Sequence, residues 1–266
     1  MKKRVISAIV ALAIFVPIFI IGGTIFNIAV FILSIIGLKE FMDVKDTKRK
    51  TPTFIQFISY TFLTLILLFG LQSETVTLNI DYTILAALFL SFLLPTVLYH
   101  DQDKYNVNDA FYLIGGVFFL ALSMLLLICL RQESLNIIIY LFLITIITDT
   151  FALVTGMLVG KHKLLEVISP KKTWEGLIGG TIMGVFVGTM FYHTVINPEI
   201  SIWLVILITT FLSLIGEFGD LFFSSMKRFY NKKDFSNIMP GHGGVLDRLD
   251  SIIFVLLGFM FFISIL

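Results

Sequence analysis

The chain has 266 residues, of which 58% are hydrophobic and only 14% are charged. So few charges cannot cover a water-soluble surface, and a mean hydropathy of +0.99 places the chain in a lipid bilayer. Soluble enzymes, disordered regulators and collagen-like chains are therefore excluded. Cys129 is the one cysteine, so an intramolecular disulfide and a cysteine-based metal cage are excluded too.

Apolar runs of about 20 residues, the length that crosses the hydrocarbon layer, recur along the chain with short polar breaks. They predict nine transmembrane helices with approximate limits 5–21, 24–41, 54–71, 82–99, 110–130, 135–156, 175–195, 200–222 and 250–266. The basic start of the first run resembles a signal peptide, but no small-residue cleavage site follows it. The sequence therefore predicts an all-α polytopic membrane protein that keeps this first span.

The basic residues indicate the orientation of these spans. Nine crossings place the two termini on opposite sides of the membrane. With the N-terminus inside, all of the 19 basic residues except Arg131 fall on the cytoplasmic side. We therefore expect a multi-pass protein of the cytoplasmic membrane, with a cytoplasmic N-terminus and the C-terminus outside.

Ionisable side chains inside apolar spans are costly, so they indicate pairing, hydration or ligand binding. Asp149, Glu217 and Asp220 are such residues. If the eighth helix continues through residue 228, five polar side chains lie along one broad face of it: Glu217, Asp220, Ser224, Lys227 and Arg228. A buried ion-pair ladder that joins helices is the alternative to a ligand site.

A polar loop, KKDFSNIMPGHGGVLDRLD, runs from Lys232 to Asp250 into the last predicted span. Its proline and glycines exclude a regular helix around residues 240–244 and leave backbone N–H groups able to cradle an anion. His242 lies within this turn. A solvated loop histidine is the alternative to a functional one.

Two carboxylates and a guanidinium follow this turn at the mouth of the last span: Asp247, Arg248 and Asp250. They favour a ligand site. The alternative is that one aspartate caps the N-terminus of the final helix, and Asp250 is the better candidate for that role.

The loop at 157–174 ends in a predicted helix start, with Ser169 as N-cap and Pro170 at the first helical position. Lys171 and Lys172 would then lie in the first turn, where the helix dipole repels them and a bound phosphate would relieve the repulsion. The alternative is that both are ordinary basic residues of a cytoplasmic boundary.

Glycines recur at every fourth position of the seventh span: Gly176, Gly180, Gly184 and Gly188. This spacing predicts a smooth helix-packing surface. It leaves open whether the surface packs within the subunit or at a dimer interface.

Carboxylates with basic residues and a glycine turn at a membrane surface suit a divalent metal ion that holds a polyphosphate. Phosphoryl or nucleotidyl transfer requires mainly positioning and charge neutralisation, so no nucleophilic side chain is needed. One substrate should be a lipid phosphate and the other a soluble nucleotide. A transporter or channel is the alternative of another class, but the polar groups gather toward one face and no inverted repeat is evident.

A set of residues at fixed spacing carries a family resemblance: Ser169–Gly176, Gly219, Asp220, Ser224–Arg228, Lys233, Asp234, Ser236, Pro240, His242–Gly244, Asp247, Arg248 and Asp250. This set resembles the signature of phosphatidate cytidylyltransferases, also called CDP-diacylglycerol synthases. Ser224 and Ser225 stand where a glutamate before the serine is common in the family, which puts in doubt an acidic role at position 223 or 224.

The resemblance implies the transfer of CMP from CTP to phosphatidate, with CDP-diacylglycerol and pyrophosphate as products. It also implies Mg²⁺, a monovalent cation such as K⁺, a homodimer and an active site that faces the cytoplasm. We expect one integral-membrane domain, 1–266, with its catalytic part mainly at 145–266. No nucleic-acid partner is expected.

The resemblance also assigns roles to residues of this chain. Asp220 and Asp247 would hold Mg²⁺, with Asp149 and Glu217 as further candidates. The phosphates would be neutralised by four basic residues: Lys172, Lys227, Arg228 and Arg248. The remaining substrate contacts would come from Lys171, Ser224, His242, Gly243 and Gly244, with His242 as an optional base. A CTP-dependent enzyme for another lipid, such as a polyprenol kinase, is the alternative within the same chemistry.

Overall fold

The computed structural model describes residues 13–46, 48–71, 82–99, 101–239, 241, 243–263 and 265. The helices are α1 over 13–21, α2 Gly23–Lys45, α3 Thr53–Gly70, α4 Tyr82–Leu98, α5 Val107–Glu133, α6 Leu135–Val159, α7 Trp174–Phe191, α8 Ile202–Phe229 and α9 Leu246–Phe259. A π-helical turn, Tyr192–Ile196, extends α7. Two short strands, β1 Lys163–Leu165 and β2 Ser169–Thr173, pair between α6 and α7.

Six of the described helices are long and apolar enough to cross a membrane: α2, α3, α5, α6, α8, and α7 with its π-helical turn. The prediction of a helical, polytopic membrane protein is confirmed. Each predicted span overlaps a described helix. Residues 5–12 of the first span lie outside the described residues, and the last predicted span, 250–266, extends beyond the end of α9 at Phe259.

Two helices, α4 and α9, lie at or below the lower limit of about 17 residues for a helix that crosses the hydrocarbon layer. Helix α4 has 17 residues and α9 has 14. The number of crossings and the sides on which the termini lie therefore stay predictions.

The chain forms two compact units, the first of which contains Met1–Glu133 and Tyr230–Arg248. Helix α5 is its central element and packs against α2, α3 and α4. Residues around the whole circumference of α5 are buried, including the consecutive run Met124–Leu130. A helix that is apolar on every side suits such a central position in a membrane protein.

Buried charges join the end of α2 to the start of α5. Lys45 Nζ lies 3.1 Å from Asp109 Oδ1, and Arg49 Nη1 lies 3.0 Å from Asp109 Oδ2. Lys45 and Asp109 are both buried. Because each charge has an opposite partner nearby, these side chains can be buried where α2 meets α5.

The second unit contains Ser134–Phe229 and Leu249–Leu266, and in it α6 packs closely against α7 and also against α8. All four glycines of the α7 ridge are buried. A Cβ added at Gly180 would lie 2.6 Å from the backbone oxygen of Thr148 and 2.8 Å from the Ala152 side chain. The ridge therefore packs within the subunit, against α6.

The prediction that Ser169 and Pro170 begin a helix was wrong. Ser169–Thr173 is strand β2, which runs antiparallel to β1 with Lys163 opposite Thr173. The pairing with β1 gives this backbone hydrogen-bond partners that a first helical turn would lack. Thr173 is the N-cap of α7 instead, because its hydroxyl accepts the N–H of Gly176 at 3.1 Å.

The strand also separates the two lysines that were expected in one helical turn. Neighbouring side chains on a strand point to opposite faces. Lys171 is exposed, whereas the Lys172 side chain is only 20% exposed. The two lysines therefore have different environments despite being adjacent in the sequence.

Gly180→Ala is expected to lower the thermal unfolding midpoint in detergent. The new Cβ meets the α6 backbone, which cannot move aside as a side chain can, and overpacking of this kind typically costs about 1–3 kcal/mol. Gly115→Ala in α5 is the matched control, because a Cβ there meets nothing within 4 Å. Equal midpoints for the two variants would contradict the packing of the ridge against α6.

Candidate active site

Lys172 lies between two of the carboxylates that the sequence places at membrane depth. Its Nζ is 2.7 Å from Glu217 Oε2 and 2.6 Å from Asp220 Oδ2, so strand β2 is joined to α8 by a forked ion pair. Asp220 is also hydrogen-bonded to Asp250 of α9. Asp149 of α6 interacts electrostatically with Glu217, Lys172 and Asp220. We call these five residues the acidic cluster.

The charge of Lys172 is set by its neighbours in this cluster. Burial by itself would lower the pKa of the amine, but the Asp220 and Glu217 carboxylates outweigh it and raise the pKa above its ordinary value. Lys172 is therefore a permanent positive charge at physiological pH.

Glu217 is 2% exposed, and its two carboxylate oxygens differ. Oε2 accepts from Lys172, whereas Oε1 has no hydrogen-bond partner among the described residues. A small cavity beside Glu217 is lined mostly by oxygen-bearing side chains: Thr145, Thr148, Asp149, Ser213 and Ser251. A buried acceptor without a partner costs about 1–3 kcal/mol, so the packing around Glu217 holds this oxygen in place at a cost in stability.

The donor set of the acidic cluster suits Mg²⁺, which prefers oxygen ligands. Among the described residues, however, no group of three or more His, Cys, Asp or Glu is already spaced to hold a metal ion. The ammonium of Lys172 accounts for part of this, because it takes up one oxygen of Glu217 and one of Asp220. The residue types of the cluster suit a hard cation, whereas their spacing among the described residues does not form a metal site.

The predicted polar face of α8 continues from this cluster. The Ser224 hydroxyl donates to Asp220 Oδ1 at 3.4 Å. Lys227 is buried and interacts electrostatically with Asp220 and Asp250. Arg228 is exposed, and its Nε donates to the backbone oxygen of Ile168 at 3.4 Å, next to β2.

Gly219 allows the backbones of α8 and α9 to approach each other beside the cluster. A Cβ at this position would lie 2.8 Å from the backbone oxygen of Asp250 and 2.8 Å from the Phe254 side chain. Position 219 must therefore be glycine for α8 and α9 to pack closely beside the acidic cluster.

In the first unit, the polar loop before α9 is organised by the carboxylate of Asp247. Its Oδ2 accepts the backbone N–H groups of Phe235 at 2.8 Å and of Gly244 at 2.9 Å. Asp247, in the first turn of α9, therefore holds the preceding loop against the helix start. Asp250 lies inside α9, where its Oδ1 accepts the N–H of Ser251, so the expectation that Asp250 caps the helix was wrong. Gly243 has a φ of +82°, a conformation that favours glycine, and completes this turn.

A second carboxylate, Glu40 of α2, holds the same loop. It accepts the backbone N–H of Val245 at 2.9 Å, that of Leu246 at 2.8 Å, and the Ser236 hydroxyl at 2.6 Å. Of the N–H groups around residues 240–244, which the sequence left open for a bound anion, that of Gly244 thus binds a carboxylate of the protein itself, as do those of Val245 and Leu246.

The structure divides the predicted site residues between the two units. The second unit holds Asp149, Lys171, Lys172, Glu217, Asp220, Ser224, Lys227 and Arg228; the first holds Gly243, Gly244, Asp247 and Arg248. Arg248 is exposed in the first turn of α9. His242 lies outside the described residues.

The sequence prediction of site residues omitted Asp250 and Glu40. Asp250 was grouped with Asp247 and Arg248 at the mouth of the last span, with capping as the alternative, and no site role was assigned to it. Glu40 lies within the predicted span 24–41. The cost of an ionisable side chain inside a span, the signal that identified Asp149, could have found Glu40 as well.

The sequence matches the cytidylyltransferase family over residues 2–266. The chain belongs to the cytidylyltransferase family. It is therefore an enzyme, a nucleotidyltransferase, and the resemblance seen in its motifs is confirmed.

Individual members of the family are similar to this chain along nearly its whole length. A phosphatidate cytidylyltransferase of Staphylococcus haemolyticus is 38% identical over 258 residues, which cover 96% of each chain. Phosphatidate cytidylyltransferases of Staphylococcus saprophyticus and Staphylococcus aureus are each 35% identical, again with 96% of both chains covered. The match thus includes both compact units of this cytidylyltransferase.

Lys172→Met is expected to lower the unfolding midpoint in detergent far more than Lys171→Met. It leaves Glu217 buried without its cation, and breaking a buried ion pair typically costs about 3–5 kcal/mol. The Lys171 side chain is exposed, so its loss removes no such partner.

Adding Glu217→Gln to Lys172→Met should recover part of the loss, because the unpaired charge is then removed. Equal midpoints for the two single lysine variants would show that the forked ion pair does not stabilise the fold.

Proposed function

We propose that this enzyme transfers the cytidylyl group of CTP to phosphatidate and thereby forms CDP-diacylglycerol for phospholipid synthesis. The observation that carries the proposal is the similarity to phosphatidate cytidylyltransferases over 96% of both chains. The acidic cluster supports it, because charged groups at the ends of membrane helices suit a reaction between a lipid phosphate and a soluble nucleotide.

In the proposed reaction, a phosphate oxygen of phosphatidate attacks the α phosphorus of CTP. A new P–O bond forms, the bond from the α phosphorus to the bridging oxygen breaks, and the electron pair leaves with pyrophosphate. A phosphate monoester is already largely ionised near neutral pH. A strong base is therefore unnecessary, and His242 remains an optional one.

Charge neutralisation is the task that we assign to the basic residues. Lys172 and Lys227 are partly or fully buried next to Asp220, where solvent screens their charges only weakly. Arg228 and Arg248 are exposed and would meet the phosphates from the aqueous side. Lys171, Ser224, Gly243 and Gly244 are the further substrate contacts that the family resemblance implies.

Asp220 and Asp247 remain our proposed Mg²⁺ ligands, with Asp149 and Glu217 as further candidates. Bound Mg²⁺ would neutralise the CTP phosphates and stabilise the departing pyrophosphate. The hydrogen bond from Asp250 to Asp220 makes Asp250 a residue that orients this carboxylate. A monovalent cation such as K⁺ and a homodimeric assembly complete the proposal, on the strength of the family resemblance.

Asp220→Asn and Asp247→Asn are each expected to abolish the transfer of label from α-labelled CTP into lipid, while the protein stays folded in detergent. Asp103→Asn is the matched control, because the Asp103 side chain is 98% exposed, and it should keep full activity. Substantial turnover of either site variant with added Mg²⁺ would contradict the metal assignment.

The position of the label separates the reaction classes in the same assay. Label in lipid from α-labelled CTP indicates nucleotidyl transfer, and label from γ-labelled CTP alone indicates a lipid kinase. No label in any of several lipid phosphates from folded wild-type protein would overturn the proposed function.

We also propose that the N-terminus and the active site face the cytoplasm and that the C-terminus lies outside. In a Cys129→Ser background, Lys163→Cys should react with a membrane-impermeant thiol reagent only after the cells are opened, whereas Glu199→Cys should react in intact cells. Both positions are exposed. The reverse pattern would invert the topology.

A further inference from the structure

We infer that Glu40, in the N-terminal half of the chain, is a positioning residue for the loop that carries the family signature. Its relevance to catalysis rests on the proposed function, but the contact itself does not. Glu40 is 1% exposed, and its carboxylate accepts three hydrogen bonds from residues 196 to 206 positions later in the chain. A carboxylate at such burial needs internal donors, because neither water nor lipid supplies them.

The donors place Glu40 at the start of α9. Val245 and Leu246 offer backbone N–H groups at the helix N-terminus, where unpaired donors and the helix dipole favour an anion. Ser236 adds its hydroxyl from the other end of the loop. Glu40 thus fixes both the entry to α9 and the loop segment before it.

The glycine at position 244 is explained by the same carboxylate. A Cβ at Gly244 would lie 2.6 Å from both Cδ and Oε2 of Glu40 and closer still to Oε1. The positive-φ residues of this turn are Gly241 and Gly243, so the requirement at Gly244 is for space and not for an unusual backbone conformation. Position 244 must be glycine because the Glu40 carboxylate occupies the space that a side chain would fill.

The position of the loop matters because Asp247 and Arg248 lie in the first turn of α9, directly after the residues that Glu40 holds. Asp247 is itself bonded to the N–H of Gly244. A shift of the loop would therefore move both proposed functional side chains together. The effect should appear in the kinetic constants and not only in stability.

A double-mutant cycle between Glu40 and Gly244 tests the contact without any substrate. Gly244→Ala should lower the unfolding midpoint clearly in the wild-type chain. In a Glu40→Ala chain, it should have little effect, because truncation opens the space that the new Cβ needs. Equal losses in the two backgrounds would overturn the inference.

Steady-state kinetics test the positioning role. Glu40→Gln keeps the volume but places an amide against N–H donors, and it should lower kcat/KM for CTP by roughly 10- to 100-fold per folded molecule, as outer-shell substitutions typically do. Glu40→Asp keeps the charge and should recover part of the loss; it also supplies the comparison if the Gln variant does not fold. Glu133→Gln, exposed at the end of α5, is the matched control and should match wild type.

The outcomes separate this inference from the proposed function. Unchanged kcat and KM per folded molecule in Glu40→Gln would show that Glu40 only stabilises the fold, and would overturn its positioning role. A wild-type protein that transfers no label to lipid would refute the proposed function, while the double-mutant cycle would still decide whether Glu40 holds the loop.

Discussion

A carboxylate buried in a membrane protein must find its hydrogen-bond donors within the protein, because the lipid offers none. This constraint organises both compact units of the chain. In the second unit, Glu217 is met by the ammonium of Lys172. In the first, Glu40 is met by the backbone N–H groups of Val245 and Leu246. Each contact ties a polar segment to a membrane helix.

The two ways of pairing a buried carboxylate differ in whether a charged group remains that could bind a substrate. The Lys172 pair retains a permanent cation, and in the function that we propose an incoming phosphate would compete with the carboxylates for it. The Glu40 contacts use directional N–H donors at a helix start, which fix geometry and leave no mobile charge. The former suits substrate binding, and the latter suits a rigid support.

The glycines of this cytidylyltransferase serve close approach more often than flexibility. Gly180 admits the α6 backbone, Gly219 admits that of α9, and Gly244 admits the carboxylate of Glu40. Gly243 is different, since its positive φ is required by the turn. Glycines near polar residues of such a signature can thus be required for packing around buried charges as well as for contact with a ligand.

The sequence alone was sufficient for the membrane class, the family and the approximate positions of the helices, because hydropathy is a local property that any 20-residue window reveals. It also identified Asp149, Glu217 and Asp220 as anomalous. Only the tertiary structure decided that Ser169–Thr173 is a strand, that Asp247 binds the loop before α9 and that Glu40 holds the same loop. The partners of Glu40 lie 196 to 206 positions away along the chain, whereas those of Asp247 lie 3 and 12 positions away. In each case, local propensity carries no information about which group will supply the hydrogen bond.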